Sequence, residues 1–263
     1  MQTDKEQSPL DFFAGGVPAF AVFTTHLESI GDLLRIPMLS QTVRELAYIG
    51  VVSYTEAFFK DHFASVLNIF PEKCACLRNS GRDVSVDLTD LLGLENPLQP
   101  KFGFILSERF NFGSPKAVNA LYKEVLLVSP FSKDNAVAFD KIIAIRNLLV
   151  HHGGTLTTKF NRENASSSPK QIYVDSVMVK NEDVGRAALL ALETVKNTIS
   201  GTVSRLLEYA KGLHPSDGRR EAVELMEFNL SEAEDLGSSL AVLVNGESHF
   251  DITDAVQDGD IPF

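Results

Sequence analysis

The sequence predicts a mainly α-helical fold, an up-and-down helical bundle carrying a small β-hairpin insertion. Three observations carry that expectation. Apolar residues recur at three- and four-residue spacing through several long stretches, the period of one helix face. Prolines stand at the ends of those stretches rather than inside them. The pattern changes over 154–160 and 171–179, where β-branched residues flank a turn-forming segment.

Residues 1–17 hold polar residues, Pro9 and Gly15-Gly16, and read as a flexible lead-in. Over 18–34, Phe20, Phe23, Leu27, Ile30 and Leu34 mark an amphipathic helix that Pro37 interrupts. Ser40 is a good N-cap for a long helix over 41–69, apolar on most sides and so suited to the middle of a bundle. Pro71 ends it. From 71 to 114 the pattern weakens, with a short helix expected over 87–92 and an irregular or extended piece over 101–106. Ser114-Pro115 opens a helix to about Val128, as an N-cap followed by proline at the first helical position. Ser132 and Asp134 are competing caps for the next helix, which runs to His151 or His152. The runs 154–160 and 171–179, separated by the turn-forming 161–169, predict the hairpin. The last long helix begins at Asn181 and reaches about Leu213. The bundle thus spans 18–213, and 214–263 holds a peripheral helix over 219–228 and an acidic C-terminal tail.

Composition narrows the function classes. Hydrophobic residues make up 44% of the 263 residues, enough for a core, with 18 Phe and no Trp. No apolar stretch approaches the roughly 20 residues that span a bilayer. The first residues lack a basic start followed by an apolar segment, so a cytoplasmic protein without membrane association is expected. Cys74 and Cys76 are too few and too close to staple a fold, and read as free thiols. No zinc spacing, Walker loop or dinucleotide fingerprint is present, so neither metal nor cofactor is expected. A net charge of −11 argues against non-specific coating of nucleic acid but leaves room for a local cationic site. The acidic end is expected to be solvated; the sharper alternative is a mimic that competes with RNA for a basic cleft.

The most informative run is Ile145-Arg146-Asn147-Leu148-Leu149-Val150-His151-His152-Gly153-Gly154. Asn147 and His151, four apart, project from one face of a helix. Arg146 lies well round the cylinder, though its stem is long enough to bring the guanidinium back. The two glycines supply a left-handed C-cap. A permanent cation, an orienting amide and a residue type that exchanges protons near neutrality suit work on a phosphodiester.

At these residues the sequence resembles the HEPN superfamily, whose motif is an arginine followed after four to six residues by a histidine, commonly with asparagine directly after the arginine. Here the form is Arg146-Asn147, three apolar residues, His151. The segment Ser53-Tyr54-Thr55-Glu56-Ala57-Phe58-Phe59 is similar to the helix that packs against the motif helix in many members. The resemblance covers about residues 40–212. Many members are metal-independent endoribonucleases, often toxins or antiviral effectors; others are non-catalytic interaction domains. The resemblance therefore implies RNA as substrate, cleaved by 2′-hydroxyl attack to a 2′,3′-cyclic phosphate and a 5′-hydroxyl. It also implies a homodimer in which two motif helices build one composite site, and an antitoxin or regulatory protein as further partner. The alternative it leaves open is a dimerisation module docking on a regulator.

The catalytic set expected on this reading is Arg146, Asn147, His151 and Glu56. Glu56 sits in an apolar helix, where a lone carboxylate is costly; it either fixes Arg146 or His151, or pairs with Lys60 four residues on. His152 is an ambiguous neighbour, a carbonyl cap or a second imidazole. His26, His62, His214 and His249 have no partner spacing and read as structural or exposed.

Overall fold

The computed structural model describes residues 8–87, 101–163, 171–213, 218–228 and 230–244. Ten helices are found among them: α1 Ala19–Leu34, α2 Gln41–Ile69, α3 Cys74–Asn79, α4 Phe102–Ser107, α5 Pro115–Leu126, α6 Lys133–His152, α7 Thr158–Glu163, α8 Asn181–Ala210, α9 Gly218–Leu225 and α10 Ala233–Val242. The mainly α-helical class is as expected. No strand occurs among the described residues, and no helix there is long and apolar enough to cross a membrane.

The chain divides into two compact units, and α1, α2 and α8 each contribute residues to both. The first unit draws on residues up to Thr24, Glu56–Ser132 and Thr194–Ser231. Its centre is a set of tilted and edge-on aromatic rings: Phe59 lies 5.9 Å from Tyr122 and 5.3 Å from Phe131, and Phe63 lies 5.4 Å from Tyr122. Such pairs add to the transfer term because ring edges meet ring faces. The lead-in is not loose from Ser8 onward. Pro9–Phe12 forms a 3₁₀ turn capped by Ser8, and Phe12 and Phe13 are buried. Asn68 ties that turn down, donating from Nδ2 to the Phe12 carbonyl at 3.1 Å.

The same asparagine fixes α4, where an irregular or extended piece was expected. The Gly103 N–H donates to Asn68 Oδ1 at 2.6 Å. A β-carbon on Gly103 would overlap the Ala64 carbonyl oxygen and stand 2.8 Å from Asn68 Oδ1. Glycine is there because α2 and α4 touch backbone to backbone. Gly103→Ala should cost about 1–3 kcal/mol, the range for overpacking a closed core, read as a lower urea midpoint with unchanged slope. A midpoint equal to wild type would mean that the helices separate without cost. The helix expected over 87–92 falls almost wholly outside the described residues.

The second unit comprises Thr25–Thr55, Lys133–Glu193 and the chain from Glu232 on. Within it α6 buries Phe139, Ile142, Ile145, Leu148 and Leu149, and α8 buries Val184, Ala187, Ala188, Ala191 and Leu192. Asn181 closes the start of α8, accepting from Arg44 Nε at 3.1 Å and donating to the Leu34 carbonyl at 3.2 Å. Helix α10 was not anticipated. Its acidic residues hide a stripe, Ala233, Leu236 and Leu240, that is buried, with Leu240 against Gly31 of α1.

The predicted hairpin is reduced to one antiparallel bridge, Thr155 to Ser176. It is held by Val177 N–H to the Gly154 carbonyl and Leu156 N–H to the Asp175 carbonyl, both 2.9 Å. The first arm then turns helical because the Thr157 hydroxyl accepts from the Phe160 N–H at 3.2 Å, starting α7 where β-branched composition had suggested strand. Residues 164–170 and the acidic end from 245 lie outside the described residues.

Candidate functional site at the end of the motif helix

Helix α6 carries the Arg-Asn-x-x-x-His run to its last turn and stops at Gly153 and Gly154, whose φ values are 57° and 84°. Both are left-handed, which only glycine adopts without a steric cost. The Gly154 N–H closes on the Leu148 carbonyl at 3.1 Å and the Thr155 N–H on the His152 carbonyl at 3.0 Å. This double turn reverses the chain and, with the bridge at Thr155, lays α7 back beside α6.

An open pocket of about 400 Å³ lies between these two helices, entirely within the second unit. One wall is a single stripe of α6: Asp140, Ile143, Ala144, Asn147, Leu148 and His151, at the spacing that puts residues on one face. The other wall comes from Thr157, Lys159, Phe160 and Glu163, and His152 stands at the mouth. Asn147, His151, His152, Lys159 and Glu163 are exposed, whereas Phe160 is only 6% exposed and forms the apolar floor. Desolvation raises the Asp140 carboxyl from its ordinary value. The pocket thus mixes one lysine, two imidazoles and an amide with two carboxylates, over an apolar base.

The expected set is brought together only in part. Asn147 and His151 share the pocket, as helix geometry required. Arg146 does not line it: a step of about 100° turns it toward the helix flank, where it is half-buried and its Nε is sealed from solvent without a hydrogen bond. Glu56 does not line it either. It belongs to the first unit, half-buried on α2, with Oε1 close to Gly113. His62 is fully enclosed in the first unit and His26 stacks on Tyr54 at 3.8 Å, so both are structural. His214 and His249 lie outside the described residues.

Asp140, Lys159 and Glu163 were missed. Asp140 was legible, standing seven residues before Asn147 on the same stripe; Lys159 and Glu163 depend on the reversal at the glycines. Both cysteines are free, and burial pushes the Cys74 thiol up to about 11, where a thiol is a poor nucleophile. Among the described residues no three His, Cys, Asp or Glu side chains converge as metal ligands. No protein-family model matches the chain, and no curated protein or solved structure is significantly similar to it.

Proposed function

We propose that the chain is a metal-independent endoribonuclease of HEPN type, working as a homodimer whose two motif helices face one scissile phosphate. The observation that carries the reading is the open pocket that holds His151 and Asn147 side by side at a glycine-terminated helix end. The reaction needs three things. A base accepts the 2′-hydroxyl proton as the 2′-O–P bond forms, cationic or hydrogen-bonding groups stabilise the phosphorane, and an acid protonates the departing 5′-oxygen. Histidine serves as base or acid, and the Asn147 amide orients it or the phosphate. Only one motif histidine comes from each chain, and in-line transfer uses groups on both sides of phosphorus. A two-fold interface supplies the second His151. Val150, three residues after Asn147, is 49% exposed, an apolar side chain that such an interface would cover.

A second reading is favoured by one observation, the withdrawal of Arg146 from the pocket. On that reading the motif is a structural remnant and the unit is a non-catalytic dimerisation module that docks on a regulatory protein. RNA incubated with pure protein in excess chelator separates the two. The enzyme gives chelator-resistant cleavage with 2′,3′-cyclic phosphate ends, a rate per chain that falls on dilution below the dimer range, and a loss of about 10²-fold or more in His151→Ala. The module gives a dimer and no cleavage. A monomer cleaving at full rate throughout the dilution series would remove the composite site.

A further inference from the structure

The geometry points to Lys159 as the cation that each chain itself supplies to the His151 pocket, binding a non-bridging phosphate oxygen of single-stranded RNA during cleavage. This inference rests on the ribonuclease reading and adds a residue that the motif does not contain. Three observations carry it. Lys159 lines the same pocket as His151 and Asn147, whereas Arg146 of the same chain does not. Its side chain is exposed and forms no ion pair or hydrogen bond among the described residues, so it is available to a ligand. Its placement is built rather than accidental: the left-handed Gly153 and Gly154, the bridge from Thr155 to Ser176 and the Thr157 cap together return α7 to the end of α6.

The electrostatics require such a group. Asp140 and Glu163 also line the pocket, and a dianionic phosphorane beside two carboxylates is disfavoured unless a nearby cation offsets them. A lysine ammonium is a compact point charge with three donors, suited to one phosphate oxygen where a planar fork is not presented. In the reaction Lys159 neither gains nor loses a proton. The 2′-oxygen attacks phosphorus, its proton passes to an imidazole, the P–O5′ bond breaks, and the leaving oxygen takes a proton from the opposite side. Lys159 holds the phosphoryl oxygen on which charge builds.

The test uses the full chain with a short RNA oligonucleotide in excess chelator, comparing wild type, Lys159→Ala, Lys159→Arg and, as a control that does not line the pocket, the exposed Lys123→Ala. Lys159→Ala should lose about 10²-fold in kcat/KM, Lys159→Arg should return to within about tenfold of wild type, and Lys123→Ala should be unchanged. In a His151→Ala background, which binds without cleaving, adding Lys159→Ala should shallow the log–log salt slope of RNA binding by about 0.7, one phosphate contact on a single strand. Wild-type cleavage with unaltered Lys159→Ala kinetics overturns the assignment and leaves the ribonuclease reading standing. A wild type that binds RNA without cleaving it overturns the ribonuclease reading, and a salt slope insensitive to Lys159 then removes the contact as well. A wild type that neither binds nor cleaves RNA removes both.

Discussion

His151→Ala should lower chelator-resistant RNA cleavage by about 10²-fold or more, the contribution typical of a positioned acid–base group. The loss should fall on kcat, with KM changed little, because on the proposed ribonuclease reading the imidazole moves a proton in the transition state while the groups that hold the phosphate remain. The variant should also fold normally. The side chain is exposed and makes no hydrogen bond or ion pair among the described residues, and surface substitutions of that kind stay within about 0.5 kcal/mol. An unchanged melting temperature beside a collapsed rate therefore separates chemistry from unfolding. His152→Ala is the informative companion. It keeps the backbone carbonyl that accepts the Thr155 N–H, so any loss of rate reports the second imidazole alone. Cleavage by His151→Ala at the wild-type rate would take the proton transfer away from this residue and leave the pocket without its proposed chemistry.

Long helices were legible because period and punctuation agree in them. Helix α2 matches its expected bounds, set between Ser40 and Pro71, and α8 starts at the expected Asn181. The peripheral helix expected over 219–228 is present as α9, Gly218–Leu225, but three other short helices were hidden, for a physical reason in each case. α4 exists because Asn68 and a glycine allow close backbone approach, a tertiary fact with no local signature. α7 was hidden by β-branched residues whose preference a single threonine cap overrides. α10 was hidden by charge, since Glu234 and Asp235 interrupt a buried stripe of only three residues. The site divides in the same way. Asn147 and His151 share a face by arithmetic on 3.6 residues per turn, and Asp140 could have been added by continuing it. Arg146 was assigned by its reach, but the structure turns it to the flank of α6. Lys159 required knowing how the chain reverses at two left-handed glycines, which periodicity does not encode.

Acid should unfold this protein partly through His62, and replacing that residue should invert the order of stability between neutral and acidic pH. His62 is buried in the first unit, stacked on Phe58 at 5.2 Å and on Tyr122 at 5.8 Å. The Tyr122 hydroxyl donates to the Phe59 carbonyl at 3.2 Å, so it accepts from Nδ1–H of His62 at 2.9 Å. That assignment leaves Nε2 bare, and no partner meets it. A second proton would place a charge and an unanswered N–H among aromatic rings, and burial accordingly pushes the imidazole down to about 3. In the unfolded chain histidine titrates near 6.5, so between these values the unfolded state binds the extra proton. Stability is full above about pH 6.5 and falls by about 1.4 kcal/mol per pH unit on acidification, approaching roughly 4 kcal/mol near pH 3. His62→Phe keeps the ring stack and loses one hydrogen bond, costing about 1 kcal/mol at pH 7. Because it cannot take up the proton, it should become more stable than wild type below about pH 5. Asp61 next door, whose carboxyl is raised by burial, titrates with the opposite sign but is common to both proteins and drops out of the difference. Urea unfolding of the pair at pH 7 and pH 4.5 reads the crossing directly. Parallel stability curves across that range would mean that His62 meets solvent or an acceptor when it protonates, and that the first unit opens at its aromatic centre before it unfolds.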